Sequence, residues 1–373
     1  MTAVPKPVNN HRSLRRRLRD ALRSVRRGLV IVFTPVLLAL VAWLILAIPD
    51  PTAGPLISEP VALTRTNPTL AAPTPKPVCP LSGTPAPHGT VPNHPAVAVK
   101  VENSPEGRPQ YGLNSADLVY EEPVEGGITR FLAVFQCHSE ARIEPVRSSR
   151  LVDALILPQL GRPVFGFAGG INPSVNAVDT SGARTVNYIT DAAPYTDDPH
   201  RLAPHQVETS TSALLAAAGH PTGAPKPLFT YSAKPPTGTP ASSVHLDFSY
   251  ASDVWWRWNP VTGRYLRSYG STPASLGGGD QISAANVVVE EVPVTPSPYV
   301  EDDTGTHQNY VGVIGSGSAE VARDGVVIKG TWVHRKPSDP TELLDAGGKK
   351  IPLAPGESWI ELFPTTSVAN PTP

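Results

Sequence analysis

The sequence predicts an α+β protein, in which a mixed α/β domain is followed by a smaller β-rich domain, behind a single N-terminal transmembrane helix. Three observations predict this fold class. Residues 29–48 form an uninterrupted apolar run. Residues 81–225 alternate strand-like and helix-like segments, and residues 240–365 contain mainly β-branched and aromatic runs separated by turn residues. The chain has 373 residues, which is enough for two such domains behind an anchor.

The apolar run 29–48 is long enough to cross a bilayer, because a helix of about 20 residues spans the hydrocarbon core. Residues 1–28 are strongly basic, with nine Lys and Arg side chains against one acid. The positive-inside rule therefore predicts a cytoplasmic N-terminus and extracytoplasmic main domains. A cleaved signal peptide is the alternative, but its apolar core is usually only about 7 to 15 residues long. The run favours an uncleaved, single-pass anchor in the cell membrane.

Two flanking segments have the composition of irregular chain. Residues 49–80 are rich in Pro, Thr and Ala, and because proline fixes φ and lacks an amide donor, they predict a semi-extended tether. Residues 366–373 predict a short disordered tail.

The first domain, residues 81–225, alternates the two kinds of element. Its β-branched and aromatic runs predict strands, and its Ala- and Leu-rich runs ending in Gly predict helices. The predicted strands are 94–102, 116–124, 129–136 and 162–169, and the predicted helices are 148–161 and 208–219. Strands interleaved with helices indicate a sheet that is covered by helices on at least one face.

The second domain follows a boundary segment, residues 222–243, that is dense in Pro, Gly, Ser and Ala. Two stretches alternate apolar and polar residues on both sides of a turn. One is VWWRWNPVTGRYLR, and the other is ARDGVVIKGTWV with Asp324-Gly325 at its turn. Both patterns are typical of β-hairpins.

The two cysteines, Cys79 and Cys137, both fall on the predicted outer side of the membrane. Cysteines in an oxidising compartment tend to pair, which favours a disulfide. Two buried or reactive thiols are the alternative. Two cysteines without a C-x-x-C spacing do not predict a zinc site.

No established catalytic motif is present. The sequence lacks a G-x-S-x-G elbow, an H-E-x-x-H helix, a Walker loop and a G-x-G-x-x-G turn after a strand. His200 and His205 lie five residues apart near Asp197 and Asp198, which suggests a metal or acid-base group, but the prolines around them favour a surface loop. We therefore predict no metal and no cofactor.

The segment 99–150 concentrates charged residues of both signs. Six of them are candidate ligand-binding residues: Arg108, Glu122, Glu125, Arg130, Arg147 and Arg150. Arginine forks bind phosphate and carboxylate groups, and glutamates serve as acids, bases or cation ligands. Structural ion pairs between the same side chains are the alternative. Because side chains alternate along a strand, Glu121 and Glu122 are expected to point to opposite faces.

Several of these motifs resemble the YerB-like bacterial lipoproteins, whose extracytoplasmic part is a domain of unknown function. They are ENSPEGRPQYGLNSADLVYEEPVEGGITRFLAVFQ and EPVRSSR, then RYLRSYG, ANVVVEEV, GTWVHR and PGESWIELFP. Together they cover nearly all of residues 80–365. Two features differ from the family pattern. Cys79 lies some thirty residues beyond the apolar run, where a lipoprotein would carry its lipidated cysteine directly after the signal. Gln206 stands where family members tend to have Asn.

The resemblance and the charge pattern together predict an uncharacterised membrane-anchored envelope protein. Its expected role is that of a binding or accessory factor for an anionic envelope ligand or an envelope protein. The alternative is a cell-envelope enzyme that acts on a phosphate-linked lipid or wall polymer. The expected partners are the membrane, through residues 29–48, and that ligand. Nucleic acid is not expected, because the residues after 28 carry a net charge of minus nine.

Overall fold

The computed structural model describes residues 76–365 and the backbone of 368–372. Within these residues, three short α-helices and twenty-one strands follow one another along the chain. The helices are α1 Asp153–Ile156, α2 Asn172–Thr180 and α3 Thr211–Ala217. The strands are β1 Val97–Glu102, β2 Leu118–Pro123, β3 Thr129–Phe135, β4 Val164–Phe167, β5 Arg184–Asn187, β6 Tyr195–Asp197, β7 Val207–Thr209, β8 Thr239–Pro240, β9 Ser243–Ser249, β10 Ser252–Asn259, β11 Arg264–Tyr269, β12 Thr272–Pro273, β13 Ser283–Ala284, β14 Asn286–Val292, β15 Val294–Val300, β16 His307–Val311, β17 Gly315–Arg323, β18 Val326–His334, β19 Glu342–Asp345, β20 Ser358–Pro364 and β21 Val368–Thr372. Short 3₁₀ helices occupy Pro87–Gly89, Pro105–Gly107, Leu113–Ser115, Glu125–Gly127 and Leu157–Leu160.

One large mixed sheet organises the described chain. Its strand order is β19-β18-β17-β14-β20-β2-β3-β1-β4-β5, with β8 paired to β18. Strand β20 pairs in parallel with β14 on one side and with β2 on the other. Strands from the two predicted domains, 81–225 and 240–365, therefore belong to a single sheet.

A second, six-stranded sheet packs against one face of the large sheet. Its order is β12-β11-β10-β9-β21, with β13 paired to β11. Aromatic rings fill the space between the sheets: the ring centroid of Trp359 lies 5.0 Å from that of Phe131 and 5.1 Å from that of Trp256. A separate apolar cluster, which includes residues of α1 and α2, covers the opposite face of the large sheet. Its central strands are buried on both faces, which explains why they are apolar in nearly continuous runs.

The predicted fold class, α+β with an N-terminal transmembrane helix, is wrong for the described chain. Strand accounts for 41% and helix for 12% of the structure. In the predicted helix 148–161, only Asp153–Ile156 is α-helical before a 3₁₀ turn at Leu157–Leu160. Pro158 explains this, because proline lacks the amide donor that would continue the helix. None of the described helices is long and apolar enough to span a bilayer. The segment 29–48 itself lies outside the described residues, as do residues 1–28 and most of the predicted tether 49–80.

The strand and hairpin predictions are confirmed. All four predicted strands of the first half correspond to β1 to β4. Both predicted hairpins form, as β10–β11 and β17–β18. At the second turn Asp324 and Gly325 have φ of 52° and 74°, the left-handed values that a two-residue hairpin turn requires.

The two chain ends of the described part are both attached to the fold. Cys79 and Cys137 form a disulfide with an S–S distance of 2.12 Å, so no free cysteine remains. Residues 366–373, predicted as a disordered tail, include strand β21, which pairs with β9.

We expect the stability of the protein to depend on Glu290, a β14 residue that is 4% exposed and whose Oε1 has no hydrogen-bond partner. Burial raises the pKa of Glu290 from 4.5 to about 8. The folded state therefore binds a proton more tightly than the unfolded state, and the free energy of unfolding falls as pH rises through that interval. Glu290→Gln should raise the free energy of unfolding at pH 8, measured by urea denaturation, and change it little below pH 4.5. The same pH dependence in variant and wild type would contradict this.

Candidate functional site

The candidate site begins with three charged residues that the register of β1, β3 and β2 places side by side. Arg130 of β3 lies opposite Glu102 of β1 and opposite Glu122 of β2. Directly opposed residues point to the same face of a sheet. Lys100 shares this face because it lies two residues from Glu102 on the same strand.

Glu122 forms a buried ion pair with Lys100. Lys100 donates from Nζ to Glu122 and, at 2.8 Å, to Oδ1 of Asp153. The side chains of all three residues are fully buried. Burial lowers the pKa of Lys100 to about 8, and Asp153 opposes that shift. Glu122 therefore neutralises Lys100 and is not exposed to a ligand.

Arg150 is also satisfied within the fold. Its Nε and Nη2 donate to Oε2 of Glu125 at 3.0 and 2.8 Å, and Nη2 lies 2.8 Å from Oε1 of Glu301. Its Nη1 donates to the carbonyl oxygen of Ser149 at 3.0 Å. The backbone amide of Asn309 in β16 donates to the other oxygen of Glu125 at 2.9 Å. Arg150 and Glu125 thus join residues that are distant in sequence.

Arg147 lies between the sheet and a loop. Its Nε is 3.4 Å from Oε1 of Glu102, and its Nη1 donates to the carbonyl oxygen of Pro204 at 3.3 Å. The other oxygen of Glu102, Oε2, lies 2.8 Å from Nδ1 of His205. The Arg147 side chain keeps 20% of its surface exposed, so it remains reachable from solvent.

Arg130 is the candidate residue whose charge is least compensated. It is 6% exposed, and its Nε and Nη1 atoms are buried without a hydrogen-bond partner. Burial, with the nearby charges of Arg150 and Arg147, lowers the pKa of Arg130 to about 9, while Glu125 and Glu301 oppose the shift. A buried guanidinium without acceptors costs free energy in the folded state. Its unpaired donors are therefore the feature of this face that a bound anion would satisfy.

The surrounding acids indicate how much negative charge this face accepts. Lys100 and Arg150 each contact two carboxylates, and Arg147 contacts one. Five carboxylates therefore contact these three cations, so the acids near Arg130 outnumber the other cations. A singly charged oxyanion suits such a face better than a dianion, because each further negative charge is repelled by these carboxylates.

Arg108 does not join this group. Its guanidinium stacks over the ring of Tyr269, 3.5 Å from the centroid, and Nη2 donates to the carbonyl oxygen of Asn103 at 2.9 Å. The Asn103 side chain donates to Glu121 at 3.3 Å. Arg108 thus belongs to a separate network between the two sheets, on the face to which Glu121 points.

Glu102 was not among the candidate site residues, and the prolines around His205 favoured a surface loop over an acid-base group. The loop does lie at the surface, where Leu202 is 84% exposed. Arg201 attaches it to the fold: its Nη1 donates to the carbonyl oxygen of Gly107 at 2.9 Å, and its Nε pairs with Glu144. Within residues 76–365, no group of three or more His, Cys, Asp and Glu side chains could hold a metal ion.

Two family models match the chain. Residues 81–222 match the N-terminal domain of a protein of unknown function, DUF3048, and residues 244–360 match the C-terminal domain of the same family. The chain belongs to the DUF3048 family.

Two comparisons with YerB of Bacillus subtilis extend this result to sequence and fold. YerB of strain 168, a protein named as a candidate lipoprotein, is 26% identical over 286 residues, which cover 74% of this chain and 82% of YerB. The crystal structure of YerB from Bacillus subtilis matches with a TM-score of 0.68 at 23% identity, covering 79% of this chain and all of that one. This chain and YerB therefore share a fold, and the resemblance to YerB-like proteins is confirmed.

Both DUF3048 regions contribute to the surroundings of Arg130. Arg130, Arg147 and Arg150 lie in the N-terminal region, whereas Glu301 and Asn309 lie in the C-terminal region. The contacts of Glu125 with Arg150 and with the Asn309 amide connect the two.

A second buried arginine provides a contrast with Arg130. Arg267 of β11 is fully buried, lies 2.7 Å from Oε2 of Glu121 through Nη1, and donates to Oε1 at 2.9 Å through Nη2. Glu361 is 3.5 Å from Nη1, and the ring of Trp359 lies 5.1 Å from the guanidinium. These carboxylates raise the pKa of Arg267 despite its burial. Arg267 is thus a paired structural cation.

We expect opposite effects of the same substitution at the two arginines. Arg267→Met should lower the free energy of unfolding by about 3 to 5 kcal/mol, because it leaves buried carboxylates without a partner. Arg130→Met should raise it by about 1 kcal/mol in the absence of ligand, because it removes a buried charge with unpaired donors. Chemical denaturation of the full-length protein in detergent measures both. Destabilisation by Arg130→Met comparable to that by Arg267→Met would show that Arg130 has a structural role.

Proposed function

We propose that this DUF3048 protein is an extracytoplasmic envelope protein, held at the cell membrane, that binds a singly charged oxyanion at Arg130. The observation that carries this proposal is the pair of buried Arg130 nitrogens, Nε and Nη1, without hydrogen-bond partners. Each of these nitrogens carries a donor that an oxygen of a carboxylate or phosphodiester group accepts in a charge-assisted hydrogen bond. Arg147, partly exposed beside Glu102, offers a second cation at the same place.

The cellular location rests on three features of the chain. The basic residues 1–28 precede the apolar run 29–48, which supports attachment to the membrane with the N-terminus inside. The Cys79–Cys137 disulfide suits an oxidising compartment outside the cytoplasm. The relative YerB is named as a candidate lipoprotein, a class of membrane-anchored protein.

The ligand is proposed to be part of the envelope, either a phosphodiester-linked molecule or a carboxylate of an envelope protein. The acids around Arg130 favour a single negative charge. Binding would offset the desolvation cost that the fold bears at Arg130. This is a reason for a protein to keep a buried arginine that lacks an internal partner.

Calorimetric titration of the full-length protein in detergent with glycerophosphoglycerol, a soluble phosphodiester, tests the proposal. We expect saturable binding that Arg130→Gln weakens at least about tenfold, because it removes the positive charge and its charge-assisted hydrogen bonds to the anion. Arg162→Gln is the matched control, because Arg162 is exposed and its substitution changes the net charge by the same amount. Its affinity should equal that of the wild type. Absence of binding by the wild type, or equal weakening by both variants, would refute an Arg130 phosphodiester site.

A further inference from the structure

His205 is oriented by a hydrogen bond to Glu102. Nδ1 of His205 lies 2.8 Å from Oε2 of Glu102. A carboxylate only accepts hydrogen bonds, so Nδ1 carries the hydrogen and the neutral ring presents a lone pair at Nε2. The His205 side chain is 22% exposed, which leaves the ring accessible to small molecules.

Glu102 is held in place from several sides. It is 2% exposed, and its Oε1 accepts a hydrogen bond from Oγ of Ser104 at 2.8 Å. Gly107 packs directly against it, because a Cβ at that position would lie 2.6 Å from Cγ of Glu102. An acid that is fixed in this way orients the histidine bound to it, as the acid of a catalytic triad does.

The register connects this dyad to the anion site. Glu102 is the direct cross-strand neighbour of Arg130, and the same carboxylate lies 3.4 Å from Nε of Arg147. The His205 loop itself is anchored to Arg147 through the carbonyl oxygen of Pro204. An anion bound at Arg130 and Arg147 would therefore lie beside a histidine that is already oriented to accept a proton.

We propose that the site hydrolyses a phosphodiester, with His205 as general base and Glu102 as its positioning residue. This inference rests on the proposed function, because Arg130 and Arg147 hold the diester. His205 Nε2 takes a proton from water as the water oxygen bonds to phosphorus. The bond from phosphorus to one ester oxygen breaks, and the departing alkoxide takes a proton from solvent. The products are an alcohol and a phosphate monoester, and the imidazolium releases its proton to solvent.

The experiment measures p-nitrophenolate release from bis(p-nitrophenyl) phosphate by the full-length protein in detergent. His205→Asn should lower kcat by about 10² to 10⁴-fold with a smaller change in KM, because the base acts mainly in the transition state. His200→Asn is the matched control. His200 is exposed on the same loop, and its one hydrogen bond in the described structure is made by its backbone amide, which donates to Oδ1 of Asp198. Its kcat should equal that of the wild type.

Glu102→Gln tests the positioning role separately. It should lower kcat and alter the pH profile of kcat/KM, because an amide can hold the imidazole in the wrong tautomer. A residue with a merely structural role would change the amount of folded protein without changing the shape of that profile. Circular dichroism of each variant reports the folded fraction.

The outcomes separate the two proposals. If the wild type binds glycerophosphoglycerol but does not hydrolyse bis(p-nitrophenyl) phosphate, or if His205→Asn hydrolyses it as fast as the wild type, the catalytic inference is overturned and the binding proposal stands. If the wild type neither binds nor hydrolyses a diester, both are overturned.

Discussion

The parallel pairing of β20 with both β14 and β2 is the constraint on which the rest of the structure depends. Through it the C-terminal DUF3048 region is hydrogen-bonded into the sheet of the N-terminal region. The β15–β16 hairpin then lies against the turn after β2, where the Asn309 amide meets Glu125. Neither region alone supplies all the charged groups around Arg130. The sheet therefore has to be complete before the candidate site exists.

The buried cations on the two faces of this sheet differ in whether carboxylates pair with them. Between the sheets, Arg267 is matched by Glu121 and Glu361, so burial of the cation is compensated. On the other face, Lys100 is matched by two carboxylates, whereas Arg130 keeps two buried nitrogens without a partner. Desolvation is costly for each of these cations. Among these three cations, only Arg130 has no carboxylate within ion-pair distance in the described residues, and this asymmetry is the reason for proposing it as a binding residue.

Local sequence patterns predicted the strands better than the fold class. Strands and hairpin turns depend on alternation and on turn residues such as Asp324-Gly325, which a single sequence displays directly. Helix length depends on interruptions such as Pro158, and the predicted helices were too long. The predicted division into an α/β domain and a β-rich domain was based on local composition. Composition does not reveal that β20 pairs with β2. Among the candidate site residues, Arg130, Arg147, Arg150 and Glu125 lie in one charged cluster, whereas Arg108 lies elsewhere.

The sequence by itself determined the segregation of charge, the apolar and basic N-terminal segments, the strand pattern, and the opposite orientation of Glu121 and Glu122. These properties depend on composition or on neighbours within a few residues. Only the tertiary structure decided which acid meets which base, that Glu122 neutralises Lys100 and that Glu102 binds His205. The last two are 103 positions apart in the chain. Such contacts follow from strand register and loop closure, and these depend on packing across the whole fold rather than on local preference.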